Sequence, residues 1–322
     1  MPKVSVIIPV YGVEQYIARC ARSLFEQTLD DIEFLFIDDC SPDRSIDILK
    51  QVLDEYPSRK SQVLIHRMEV NSGQAAVRNW GLQNATGDYV IHCDSDDWVD
   101  TEMYKLLYDE ALSSDADIVV CDFYRTDGVE SHYEKGCGSV EPSIFKENLI
   151  RNNISRAVWN KLIKSCHYKN IDYPKSNMGE DMVYTLQIAY YIKRIAYVPK
   201  PLYFYYYNDA SITKVKSEEK IYKNYLSVIE NLRIINRFYS DKIIDDKIKS
   251  ALNYLNWSQR DVLLPIVSKK KYYKMWRSVY PSIEVCILKD KNQVWRSRLK
   301  SLLTLLYIYP FNRFNLFRGK NE

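Results

Sequence analysis

Through the first third of the chain, short apolar runs alternate with amphipathic stretches. Val4 to Val10, Glu33 to Ile37, Val63 to His66 and Tyr89 to Cys93 are predicted strands. Helical spacing covers Val13 to Gln27, Ser45 to Tyr56 and Gln74 to Asn84, with Ser41 or Asp43 placed to cap the second. A helix from Thr101 to Ser113 leads to a further strand at Ile118 to Phe123. Such an order is a series of βαβ units. The near-continuous Val and Ile content of the first strand calls for helices on both faces of a mostly parallel sheet, an α/β fold.

From Tyr124 to Ser143 the pattern breaks at Gly128, Gly136, Gly138 and Pro142, which predicts a surface excursion or a hairpin bordering a site. Order returns near Ile144, with a helix at Asp181 to Tyr191 and an aromatic strand at Leu202 to Tyr207. Beyond it the composition shifts to Lys, Tyr, Ile and Asn, without glycine until Gly319. This places a boundary near residue 215, with an α/β domain over 1–215 and a helical region over 216–322. In the second region Ile221, Tyr225, Val228, Leu232, Ile235 and Tyr239 recur in steps of four and three. Such a stripe serves either as a seam on the protein's own helices or as a homodimer interface.

Composition narrows the classes. A chain of 322 residues with 46% hydrophobic content can bury a real core. Its 45 basic and 42 acidic residues, net +3, are too balanced to point to nucleic acid. The seven cysteines show no metal-ligand spacing and are expected to be reduced thiols in a cytoplasmic protein with no export signal. The apolar stretch from Leu302 to Phe311 contains Thr304 and Pro310 and falls short of the roughly 20 residues a spanning helix needs. Around it, Arg296, Arg298, Lys300, Arg313, Arg318 and Lys320 interleave with Trp295 and many Leu and Phe residues. Two uses stay open here: peripheral contact with the inner face of the cytoplasmic membrane, or a helix docked on the rest of the protein. Deleting residues 290–322 separates them.

Acidic residues gather where strands should end. Asp38 and Asp39 follow one strand, and Asp94, Asp96 and Asp97 follow another, so both clusters open on the carboxyl edge where α/β folds bind ligands. Closely spaced carboxylates repel unless solvated or neutralised. One reading is therefore a solvated acidic turn; the other is a Mg²⁺ or Mn²⁺ site completed by substrate phosphates. Arg78, in the helix after Asn71-Ser72-Gly73, either pairs with a carboxylate or holds a phosphate. Glu180 and Asp181 stand before a helix, as capping residues or with Asp181 as a general base. His92 is expected to be a satisfied histidine on the alternate face of its strand.

Taken together, Val4 to Tyr11, Ile37-Asp38-Asp39-Cys40-Ser41, Asn71 to Gly81, Gly87 to Trp98 with its Asp-Ser-Asp-Asp, and Gly179-Glu180-Asp181 resemble the family 2 glycosyltransferases of the GT-A fold. The segments stand in that family's order over residues 1–215. The resemblance implies an inverting hexosyl- or N-acetylhexosaminyl-transferase. Its donor would be a nucleoside-diphosphate sugar, UDP first, and its acceptor a hydroxyl of a saccharide or lipid-linked molecule in surface polysaccharide synthesis. It implies that Pro9, Tyr11 and Asp39 border the nucleobase, helped by Glu14 from the first helix, and that Arg78 sits at the nucleotide or diphosphate. Asp94 would contact the ribose or a metal-bound water, Asp96 would hold the metal, and Asp97 would support them. Asp181 would be the base beside Glu180, Trp159 would offer a face to the acceptor, and Ser211 would close over the diphosphate. Competing readings are a sugar-nucleotide nucleotidyltransferase and a non-catalytic sugar-nucleotide-binding subunit. Against the first, the segment after strand one, Pro9 to Glu14, lacks a Gly-rich phosphate loop.

Overall fold

The strand–helix alternation forms a nine-stranded sheet in the computed structural model, which describes residues 2–207 and 217–310. The chain divides into two compact units, residues 1–149 with 154–209 and residues 150–153 with 210–322.

In the first unit the strands are β1 (Val4–Val10), β2 (Ile32–Asp38), β3 (Val63–Arg67), β4 (Tyr89–His92), β5 (Trp98–Val99), β6 (Ile118–Thr126), β7 (Ser131–Glu134), β8 (Lys161–Lys164) and β9 (Ile195–Tyr206). Their order is β3-β2-β1-β4-β8-β6-β9-β5, with β7 on β6. The expected parallel arrangement holds for β3-β2-β1-β4 and for β6 with β9. β8, β7 and β5 pair antiparallel, so the sheet as a whole is mixed. Antiparallel ladders need no helical crossover, which is why the irregular stretch after Tyr124 could close as the β6–β7 hairpin.

The helices are α1 (Ile17–Phe25), α2 (Ser45–Asp54), α3 (Gln74–Asn84), α4 (Met103–Ser113), α5 (Pro142–Arg151) and α6 (Glu180–Tyr191). Alternate residues of the central strands face opposite layers. Val6, Ile8, Phe34 and Phe36 join Leu24 of α1, Leu49 of α2 and Leu107 of α4 in one core. Ile7 and Ile37 turn the other way, towards α3. A Cβ at Gly81 would lie 2.5 Å from Ile7 Cγ2, so the glycine lets α3 seat against β1. Two local expectations are corrected. Helix α1 begins at Ile17 because Gly12 adopts φ +66° and residues 14–16 form a turn. Neither Ser41 nor Asp43 is the N-cap of α2; that position is Arg44, while Asp43 accepts the Ser45 N–H at 3.1 Å and Ser41 N–H donates to Asp38.

The second unit holds α7 (Glu218–Tyr239), α8 (Asp246–Gln259), α9 (Lys270–Ser278), α10 (Ile283–Lys289) and α11 (Trp295–Leu305). Ser217 and Asp245 cap α7 and α8 through their side chains. Of the α7 stripe, Tyr225, Val228, Leu232, Ile235 and Tyr239 are buried within the single chain, against the segment Arg260–Ile266 and α8. Among the described residues no helix is long and apolar enough to cross a membrane.

Candidate active site

Because β1 pairs in parallel with both β2 and β4, the carboxyl ends of all three lie side by side. Asp39 and the Asp94–Asp97 turn therefore open on one edge. Arg78, from α3, stands at the centre with its side chain 1% exposed. Its Nη2 donates to Asp94 Oδ1 at 2.7 Å, and its Nη1 donates to Glu180 Oε1 at 2.7 Å and to Asp181 Oδ1. A guanidinium fork, with five donors, suits such multiple pairing. Of the two readings of Arg78 this geometry shows the carboxylate pairing: both Nη atoms are bonded to carboxylates.

Three ionised carboxylates on one guanidinium would leave two excess negative charges where water is scarce. Burial, with Asp181 adding to it, accordingly pushes Glu180 up to about 8 against the pull of Arg78. Asp181 is also raised by burial, with Arg78 opposing. Both sit in the first turn of α6, but the N-cap is Gly179 at φ +82° and neither side chain caps the helix. Asp181 is the more open, 26% exposed against 9% for Glu180.

The acidic turn divides its labour. Asp97 is wholly buried: Tyr203 Oη donates to its Oδ2 at 2.5 Å and Tyr206 N–H to its Oδ1 at 2.6 Å. Burial, then Asp96 and Asp94, holds its carboxyl well above the usual range. Tyr203 Oη also accepts the Asp94 N–H at 3.1 Å. Burial and Asp94 push Asp96 up to about 6, with Arg19 opposing. Arg19 donates to the Asp96 carbonyl at 2.9 Å and lies 3.7 Å over the Trp98 ring and 4.6 Å from that of Tyr206.

Among the described residues no group of three His, Cys, Asp or Glu side chains is arranged to hold a metal. Two carboxylates do remain available. Asp94 Oδ1 takes bonds from Arg78 and Gln74, while its Oδ2 and the Asp96 carboxylate accept none from another described residue. Hard divalent cations of the Mg²⁺ type are held by one or two carboxylates plus substrate phosphates, so this donor set fits such an ion as a half-site.

At the other end of the edge, Asp39 is buried and accepts Ser72 N–H at 2.7 Å and Gly73 N–H at 2.8 Å, fixing the loop that starts α3. Gly73 has φ +84°, and a Cβ there would lie 2.2 Å from Asn177 Nδ2. Asn177 in turn accepts the Ala75 N–H at 3.1 Å, so a distant loop caps α3. Tyr11 is 52% exposed and Pro9 is half-buried at the end of β1.

Three expectations are corrected or fall away. Glu14 lies in the turn before α1 rather than in it, and accepts the Arg44 N–H at 3.1 Å. Trp159 offers no face to an acceptor: it is buried, stacked 4.3 Å from Tyr203 and edge-on to Phe123 at 4.7 Å. His92 is fully buried but not satisfied; neither ring nitrogen has a partner, and burial with Arg78 nearby holds its pKa well below the usual value. Ser211 lies outside the described residues. Sequence reasoning missed Arg19, Tyr203, Tyr206 and Asn177. The alternation of Leu202 to Tyr206 was the one available signal, since it turns Tyr203 inward.

The edge thus joins Asp94, from the end of β4, and two carboxylates of α6 around one arginine, with Asp39 further along it. A family model described as "Glycosyl transferase family 2" matches residues 5–169. The chain belongs to the family 2 glycosyltransferases, as its motifs implied. It is 32% identical over 232 residues to glycosyltransferase GlyA of Streptococcus pneumoniae, covering 67% of this chain and about a third (32%) of that relative's length. In structure it resembles S. aureus TarS 1–349 in complex with UDP-GlcNAc, with TM-score 0.59 and 17% identity, covering 97% of this chain and 92% of that one. It also resembles the mannosyltransferase PcManGT of Pyrobaculum calidifontis in complex with GDP-Man and Mn²⁺, with TM-score 0.54 and 15% identity, covering 97% and 82%.

Proposed function

We propose that this protein is an inverting glycosyltransferase that moves a sugar from a nucleoside-diphosphate donor, a UDP-sugar first, to a hydroxyl of a saccharide or lipid-linked acceptor in surface polysaccharide synthesis. The observation that carries the reading is that Arg78 ties Asp94, at the metal half-site, to Asp181, the more open carboxylate of α6. The complexes of TarS with UDP-GlcNAc and of PcManGT with GDP-Man support the donor class.

In this reading residues 1–215 are the catalytic domain and residues 216–322 a helical appendage. Tyr11 and Pro9 border the nucleobase, and Asp39 orders the loop beside it while keeping lone pairs for a contact. Asp94 and Asp96 would hold Mn²⁺ or Mg²⁺ together with the donor diphosphate. When bound, that ion offsets charge growing on the leaving group. Asp181 accepts the acceptor's proton as its oxygen attacks the anomeric carbon; the bond from that carbon to the diphosphate oxygen breaks, and the configuration inverts. Arg78 keeps Asp181 aimed and ionisable, and Glu180 holds the proton that the crowded quartet retains.

The test is release of nucleotide, and transfer, from a panel of UDP-, GDP- and dTDP-sugars with and without Mn²⁺. Asp181→Asn is expected to cut turnover by roughly 10²–10⁴-fold, the range for loss of a positioned acid–base group, and Asp96→Ala to cut it severely by removing a metal ligand. Near-normal turnover in either variant sinks the assignment. Binding of donor without any hydrolysis or transfer favours the non-catalytic subunit.

A further inference from the structure

Helix α11 is inside out. Its buried positions are Ser297, Ser301 and Thr304, while Trp295, Leu299 and Leu302, with Leu306 just past the helix end, are exposed. The four apolar residues recur in steps of four, three and four, so they form one stripe along one side of the helix. Trp295 is 67% exposed and Leu306 58%, and Tyr307 and Ile308 extend the apolar surface. A helix of a water-soluble fold normally turns such a stripe to the core; here small hydroxyl residues occupy the inner side.

Along α11 itself the charged residues have one sign. From Lys291 to Pro310 the chain carries Lys291, Arg296, Arg298 and Lys300 and no acidic residue. Arg296 and Arg298 are exposed on either flank of the stripe. Arg277 of α9 reaches the helix's far end, donating to the Thr304 carbonyl at 3.1 Å and lying 3.9 Å over the Tyr307 ring. Asp261, which meets Lys300, is on the inner side, where it also accepts the Trp276 indole N–H at 3.1 Å.

We propose that the outer face of α11 docks on the surface of an anionic phospholipid bilayer, with Trp295, Leu299, Leu302 and Leu306 entering the headgroup boundary and Arg296 and Arg298 meeting lipid phosphates. An apolar stripe with an indole at one end and guanidinium groups on both sides matches what an interfacial helix needs. A second copy of this chain fits less well. A two-fold contact sets each patch against itself, so the basic flanks would face one another with no carboxylate between them.

Full-length protein is sedimented with vesicles of equal parts phosphatidylglycerol and phosphatidylcholine, and with phosphatidylcholine alone. Binding to the anionic vesicles is expected. It should fall by roughly 25-fold or more in Arg296→Glu with Arg298→Glu, at about fivefold per basic residue near such a surface. A comparable fall is expected in Leu299→Ser with Leu302→Ser. All four positions are exposed, and Arg298 also donates to the Leu288 carbonyl at 3.0 Å, so unfolding curves and donor hydrolysis in solution are measured beside binding, and a variant counts only where both match the parent. Absence of binding by the parent overturns the proposal, as does binding that both double variants retain. A concentration-dependent dimer in ultracentrifugation that the leucine variant abolishes, without vesicle binding, assigns the face to a second copy instead.

Discussion

Replacing Arg78 by methionine keeps much of the side-chain volume and removes the cation that, among the described residues, bonds Asp94, Glu180 and Asp181 together. Taking one partner from a buried ion pair typically costs about 3–5 kcal/mol, because the remaining charge stays desolvated. Three carboxylates share this arginine, so the upper part of that range applies when all are ionised. In a unit of this size the loss corresponds to a fall of roughly 10 °C in Tm. The carboxylates can lessen the penalty by taking up protons, which makes the loss depend on pH. Glu180 already sits near 8 with Arg78 present, and Asp181 is raised as well; without the opposing arginine both rise further. A carboxylate raised in the folded state binds protons that the unfolded chain has released, so stability falls as pH climbs from the ordinary carboxylate range through the raised value. The Arg78→Met deficit should therefore be small near pH 5 and reach its full size near pH 9, measured by thermal unfolding of both proteins in the same buffers. Glu180→Gln in the Arg78→Met background should recover part of it. A deficit below about 1 kcal/mol at pH 9, or one that does not change with pH, would refute the view that this arginine offsets the charge of the three carboxylates.

Turnover should rise with pH through neutrality as the Glu180–Asp181 pair sheds its shared proton, and Glu180→Gln should move that limb of the kcat/KM profile to lower pH by removing a like charge. Tyr203→Phe deletes the hydroxyl that joins Asp97 to the Asp94 N–H, at an expected cost of about 1–3 kcal/mol in thermal unfolding. The same variant should bind Mn²⁺ more weakly in the presence of UDP, by calorimetry. Gly73→Ala forces a side chain into φ +84° and against Asn177, and should lower stability by more than about 1 kcal/mol while raising the KM for donor.

Much of this site was legible because strand ends are legible. Ile37 and Ile91 close apolar runs, so the acids that follow had to emerge on one edge once β1 was placed between β2 and β4. What escaped depends on contacts far apart in sequence. Nothing near Arg19 says that it will lie over Trp98, and nothing near Asn177 says that it will cap α3. Trp159 was set at the acceptor by the resemblance alone, and a core Trp was the other reading open to it; its neighbours turn inward too, Lys161 being buried with its ammonium satisfied by the Ser155 and Ala157 carbonyls and by the Asn160 side chain. Arg78 was located correctly on its helix, but its direction was set by α6, a hundred residues on.

The fastening of Asp97 by Tyr203 and Tyr206 also orders events in time. The acidic turn is made before residue 100, but its anchors are the last residues of β9, 106 and 109 positions later. Closing so long a loop is slow compared with forming the local helices. A ribosome that has released only β1 to β8 has therefore produced Asp97 without its two anchors. Under the proposed function, a truncation ending before Ile195 is expected to fold partly and not to hydrolyse donor.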